Sequence, residues 1–140
     1  MIGTNILTIN IDDNFMQLNM TNEYLYLYEN NVRKYVSPVI PQGLSNTMGD
    51  IQEYLLNNFK FREETGIFLT LDLGDYVQLE LKDKKIFLYH NHEHNFTFSS
   101  DKDGLILALF VVQEYIINYI KQTREDEKEI AIGIEVMELE

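Results

Sequence analysis

Apolar residues fall at every second position in stretch after stretch of this chain. Leu7, Ile9 and Ile11 alternate with Thr8 and Asn10; Met16, Leu18 and Met20 share one phase; Leu25 and Leu27 alternate with Tyr24, Tyr26 and Tyr28. Successive side chains of a β-strand point to opposite faces, so each run predicts a strand with one face buried and one face wet. The pattern returns with Ile67, Leu69, Leu71 and Leu73, then Val77, Leu79 and Leu81, then a strand starting at Ile86, and last with Ile130, Ile132, Ile134 and Val136. Asp12-Asp13-Asn14, Thr21-Asn22-Glu23, Gly74-Asp75 and the stretch Lys82 to Lys85 supply the turns.

Two stretches change period. Met48, Ile51, Leu55 and Phe59 follow a Thr47 and Asp50 pair that resembles a capping box, which predicts an amphipathic helix over roughly Met48 to Asn58. Ser100 and Asp103 read as a second cap, and Leu105, Leu109, Val112, Ile116 and Ile120 form a stripe down a longer helix. Its apolar part, Leu105 to Ile120, is about 16 residues long and broken by Gln113, Glu114 and Asn118, against roughly 20 apolar residues for a membrane span. A core helix is expected, with no membrane partner. Pro38, Pro41 and Gly43 mark Asn30 to Ser45 as a long loop at about 30–45, and no internal repeat is read from the sequence. The expected order is βββ-α-βββ(β)-α-β over residues 1–140. That is a single α+β domain, a mainly antiparallel sheet packed against two helices.

A chain of 140 residues, 45% of them hydrophobic, supplies the core of one domain. Cysteine is absent, which excludes disulfides, thiolate metal sites and a cysteine nucleophile. The start, Met1 to Asn5, lacks the basic stretch and apolar run of a secretory signal, and a cytoplasmic location is expected. Eleven basic against twenty-three acidic residues give a net charge of −12. Such a charge repels nucleic-acid phosphates and anionic membranes, and it attracts a basic protein partner at a rate that falls with salt.

His90, His92 and His94, the three histidines of the chain, sit at every second position. On one unbroken strand they would share a face and offer three nitrogen ligands to zinc or another divalent transition metal. A hairpin turning at Asn91-His92-Glu93 is preferred, since Asn and Glu suit a turn better than a core strand. The metallo-β-lactamase signature His-x-His-x-Asp-His is broken by His94 and Asn95. Ser99, Asp101, Asp103 and Gly104 mimic an EF-hand opening, but Phe110 stands where the bidentate glutamate belongs, and helix capping explains them. Asp12-Asp13 and Glu63-Glu64 are carboxylate pairs at turns, with nothing to bury them for acid–base chemistry. No Gly-x-Ser-x-Gly elbow or phosphate loop occurs.

The constellation that remains is a face. With the aliphatic phase turned inward, Tyr24, Tyr26, Tyr28, Asp72, Tyr76, Glu80 and Tyr89 look outward, a mixture of aromatic rings and carboxylates suited to a basic protein. The expected function is a small, acidic, non-enzymatic binding module without a cofactor, of the immunity-protein or antitoxin kind. Two alternatives are a metal-binding protein or metal-dependent enzyme on His90, His92 and His94, and a self-associating structural or phage accessory protein that forms a homodimer.

Overall fold

A computed structural model describes residues 2–61 and 65–139, with side chains described as far as Thr123. The Glu63-Glu64 pair lies outside the described residues. The elements run β1 (Thr4–Ile11), β2 (Asn14–Met20), β3 (Tyr24–Glu29), β4 (Val32–Pro38), α1 (Pro41–Asn58), β5 (Gly66–Asp72), β6 (Tyr76–Lys82), β7 (Lys85–His90), β8 (Glu93–Ser99) and α2 (Lys102–Leu139). All eight strands join one antiparallel sheet in the order β4-β3-β2-β1-β5-β6-β7-β8. This is the α+β architecture the alternating pattern predicts. Helix α1 lies over β3 and β4, α2 over β7 and β8, and the helices touch each other. Between sheet and helices sits one core, into which Leu7, Ile9, Leu18, Leu27, Leu69, Leu71, Leu79 and Leu88 point with the helix residues Ile51, Leu55, Val112 and Ile116.

Four expectations about the elements are corrected. The stretch 30–45 is no loop: it holds edge strand β4 and the start of α1. An edge strand buries little, and of β4 only Ser37 is fully buried, so its apolar alternation is faint. Its prolines are end markers, Pro38 closing an edge strand and Pro41 opening a helix, both positions where a missing N–H costs nothing. Thr47 therefore lies inside α1, not at its cap. Its buried hydroxyl donates to Gly43 O at 2.9 Å and sits 2.6 Å from Ser37 Oγ, tying the helix to β4.

The cap of α2 is Asp101, whose Oδ1 accepts from Gly104 N and from Ser99 Oγ, both at 2.8 Å. The hydrogen bond from Gly104 and then that from Ser99 hold its carboxyl below the usual range. The last strand, Ile130 to Val136, does not form, because α2 continues to Leu139. The good helix formers of Arg124 to Glu129 carry the helix through the segment read as a turn. By length and composition Lys102–Thr123 could cross a membrane, and 39% of that window is buried. Its stripe of Leu105, Leu109, Val112 and Ile116 belongs to the core.

The expectation of no internal repeat also fails. Exchanging β1 with β5, β2 with β6, β3 with β7 and β4 with β8 leaves the strand order unchanged. The match extends to residues. From β2 onward equivalent positions are 61 apart, as Asn30 is from Asn91, and Ile51-Gln52-Glu53-Tyr54 returns as Val112-Gln113-Glu114-Tyr115. The strands β3 and β4 slip register between Leu27 and Tyr28, and β7 and β8 between the equivalent Leu88 and Tyr89. The hairpin tips agree in detail as well. Asn30 and Asn31 have φ of 49° and 68°, Asn91 and His92 50° and 69°, the two left-handed residues of a tight hairpin turn. Asn30 Oδ1 accepts from Phe15 N at 2.9 Å as Asn91 Oδ1 accepts from Tyr76 N at 2.8 Å.

The two ββββα units meet at β1 and β5, where Leu7 pairs with Leu71, Thr8 with Thr70 and Ile9 with Leu69. This register maps onto itself when the units are exchanged, so a local two-fold axis passes between Thr8 and Thr70.

Each helix enters against its preceding strand at a glycine. A Cβ on Gly43 would collide with Pro38 O, and one on Gly104 with Ser99 O, whereas Gly49 faces open space. Gly43→Ala and Gly104→Ala are expected to cost about 2 kcal/mol or more each, and Gly49→Ala to stabilise by about 0.5–1 kcal/mol. Urea unfolding of the three variants checks the contrast.

Candidate functional site

The face of the sheet away from the helices carries the residues that the alternation turns outward. Tyr24 is 44% exposed and its ring lies 6.3 Å from that of half-buried Tyr26. Asp72 and Tyr76 stand opposite each other across the β5–β6 hairpin, with Asp72 exposed and its Oδ1 accepting from Gly74 N at 3.2 Å. Glu80, Phe87 and Tyr89 form a third group, joined by the His94 ring, 5.3 Å from Phe87 and 6.0 Å from Tyr89. The expected face thus divides into three groups of aromatic and acidic side chains along one surface.

Tyr28 departs from the expectation. It is 6% exposed, and Ile2 lies against its hydroxyl. Ile2 N donates to Tyr28 Oη at 3.1 Å, and Asn19 Nδ2 donates to Ile2 O at 3.0 Å. One extended residue is held by its N–H and its C=O at once. Its alternation with Leu27 correctly points Tyr28 outward, but a strand pattern says nothing about which segment covers an outward ring.

The equivalents of Tyr28 and Asn19 in the second unit are Tyr89 and Glu80. No segment of the described chain lies between them; Tyr89 Oη donates directly to Glu80 Oε1 at 3.0 Å, and both side chains are half-buried. That hydrogen bond, then partial burial and the nearby negative charge, push the Tyr89 phenol above its ordinary value. Alternation already turns Glu80 outward, whereas Asn19 is a position that composition and alternation alone pass over. The signal that finds Asn19 is the 61-residue repeat, which sets it opposite Glu80.

The histidines do not share a face. The chain turns at Asn91 and His92, so the preferred hairpin forms and the unbroken strand from Ile86 to Phe98 does not. His90 Nε2 lies 3.5 Å from Asp75 Oδ2, its ring 5.2 Å from that of Tyr115 on α2. His92, at the tip, lies over Tyr76 at 5.6 Å. His94 Nε2 is 3.0 Å from Phe96 O and 2.7 Å from Thr97 Oγ1, and the carbonyl requires the proton to sit on that nitrogen. Among the described residues no three His, Cys, Asp or Glu side chains converge as a metal site.

No family model, curated protein or solved structure matches the chain.

The Tyr89–Glu80 bond sets a pH dependence. A phenol whose folded value is raised keeps its stabilising contribution below the ordinary value of about 10 and loses it as pH climbs through the raised value. Glu80→Gln is expected to bring the Tyr89 phenol back toward about 10, read from the ring-carbon NMR shift of Tyr89 against pH.

Proposed function

We propose that the chain is a non-enzymatic protein-binding module whose second outer-face site, Tyr89 with Glu80, receives a basic segment of a partner protein. The carrying observation is the twin site, where Tyr28 and Asn19 hold the backbone of Ile2 by both its polar groups. Replacing Asn19 by its equivalent Glu80 changes what can be held. A carboxamide donates and accepts, while a carboxylate only accepts, so the segment that suits the second site must bring donors: a lysine, an arginine or a backbone N–H. Phe87 and His94 border the site with ring surface, the kind of contact that carries binding energy at interfaces. A net charge of −12 supports the encounter with a basic protein. This is the solution used by an immunity protein or antitoxin that covers a basic toxin in the cytoplasm.

The test is capture of a basic partner from the native host by the wild-type chain beside Glu80→Lys and Tyr89→Ala. Each substitution is expected to weaken the complex about 30-fold or more. Association with the wild type should slow steeply as salt rises. Capture that survives Glu80→Lys, or is indifferent to salt, contradicts the assignment.

Self-association is a second reading, favoured by the contrast between the two sheet edges. Edge β4 carries Arg33, Lys34 and Pro38, residues that discourage edge pairing. Edge β8, Glu93–Ser99, carries neither Lys nor Pro, and Phe96 on it is 46% exposed. If β8 pairs with its copy, the mass by light scattering doubles with concentration and Phe96→Lys abolishes the rise; a monomer at all concentrations removes this reading.

A further inference from the structure

The repeat exposes a second difference between the units, on the helix side of the sheet. In the first unit the chain leaves α1 through Phe59, Lys60 and Phe61. The Phe59 ring packs 4.8 Å from Phe61 and 4.7 Å from Phe68, and all three join the core. This aromatic plug seals the end of the first unit where the helix stops.

In the second unit the equivalents are smaller or polar. Ile120 stands for Phe59, Ile6 for Phe68, and Gln122, exposed, for Phe61. Helix α2 runs straight on instead of turning back. The corner sealed by rings in one unit is an open cavity of about 770 Å³ in the other, lined by Ile6, Met20, Val39, Leu73, Tyr119 and Ile120. Such a volume lies in the range of small-molecule sites, which are mainly apolar with a few polar groups at the rim. Here those are Thr4, Asn5, Thr21, Asn22, Asp72 and Thr123, and the charge among the described lining residues is the Asp72 carboxylate.

We propose that this cavity binds a small aromatic molecule, uncharged or cationic, whose ring takes the place that Phe61 fills in the first unit. The twin site dictates the ring: the same backbone frame accommodates phenyl groups packed edge-on and tilted where the chain supplies them. Asp72 and the net charge of −12 dictate the sign, since an anion would approach a carboxylate at the mouth against a negative field. The site is separate from the outer-face pair Tyr89 and Glu80, and it stands whether or not a basic protein docks there.

The test uses the full chain, labelled with nitrogen-15, and three probes with one ring system: indole, tryptamine and indole-3-acetate. Indole and tryptamine are expected to give saturable shifts at Ile6, Met20, Leu73 and Ile120, leaving Phe59, Phe61 and Phe68 unmoved. Indole-3-acetate should bind at least about tenfold more weakly than tryptamine, and Asp72→Asn should narrow that gap. Thr123→Trp, at an exposed helix position on the lining, should abolish binding by filling the space, while Thr123→Ala retains it and shows that the helix tolerates change. No saturable shift up to millimolar probe, equal affinity for the cation and the anion, or binding that persists in folded Thr123→Trp overturns the proposal.

Discussion

The fold depends on a strand pair only three residues long. Leu7 against Leu71, Thr8 against Thr70 and Ile9 against Leu69 hold β1 and β5 side by side, and through them two four-stranded sheets become one of eight. The four aliphatic residues of that pair are 0–1% exposed, each worth about 1.5–3 kcal/mol of burial. On the other face Thr8 and Thr70 stand directly opposite, a cross-strand pair suited to a half-wet surface. Because the register is its own image when the units are exchanged, the joint has the geometry of a dimer interface drawn within one chain. Neither unit could bury its half of this interface alone, and each helix also packs on the other.

Once the units are seen as copies, every difference between them becomes informative. The frame is shared: the helix stripe Leu44, Met48, Ile51 and Leu55 recurs as Leu105, Leu109, Val112 and Ile116, and the asparagine clamp at each hairpin tip is the same. What differs is what fills the frame. The first unit closes both of its openings with its own chain, Ile2 over Tyr28 and Asn19 on one face, Phe61 beside Phe59 and Phe68 on the other. Among the described residues of the second, no segment lies between Tyr89 and Glu80, and a cavity opens under Ile120. The difference between the units lies in these fillings and not in the frame.

Much of this was legible in the sequence, for physical reasons. Strands with one face in the core must alternate, and β1, β2, β3, β5, β6 and β7 do so plainly. The edge strands β4 and β8 were faint because an edge with one fully buried side chain, or none, places few demands on its residues. Pro38 and Pro41 looked like loop residues because proline marks the ends of elements as readily as the links between them. The repeat was hidden by two circumstances. Equivalent core positions exchange Ile, Leu, Val and Met freely, since the core asks for volume and not identity. A slip of one residue at the first turn also shifts β1 and β5 to a spacing of 62, as from Thr8 to Thr70, against 61 elsewhere. Of the candidate site, the alternation placed Tyr24, Tyr26, Tyr76, Glu80 and Tyr89 correctly on the outer face, while the covering of Tyr28 depends on a contact with Ile2 far along the chain. The dispersal of the histidines follows from a two-residue hairpin that sends His90 and His94 to opposite faces.

Native-state hydrogen exchange of the full chain tests the central claim most directly. If β1 and β5 weld the two units into one cooperative structure, the amides of Leu7, Ile9, Leu69 and Leu71 exchange only through global unfolding, and core amides of both units share that one free energy. Two distinct unfolding free energies, one for the strands around Leu18 and Leu27 and another for those around Leu79 and Leu88, with fast exchange at the joint, would contradict it.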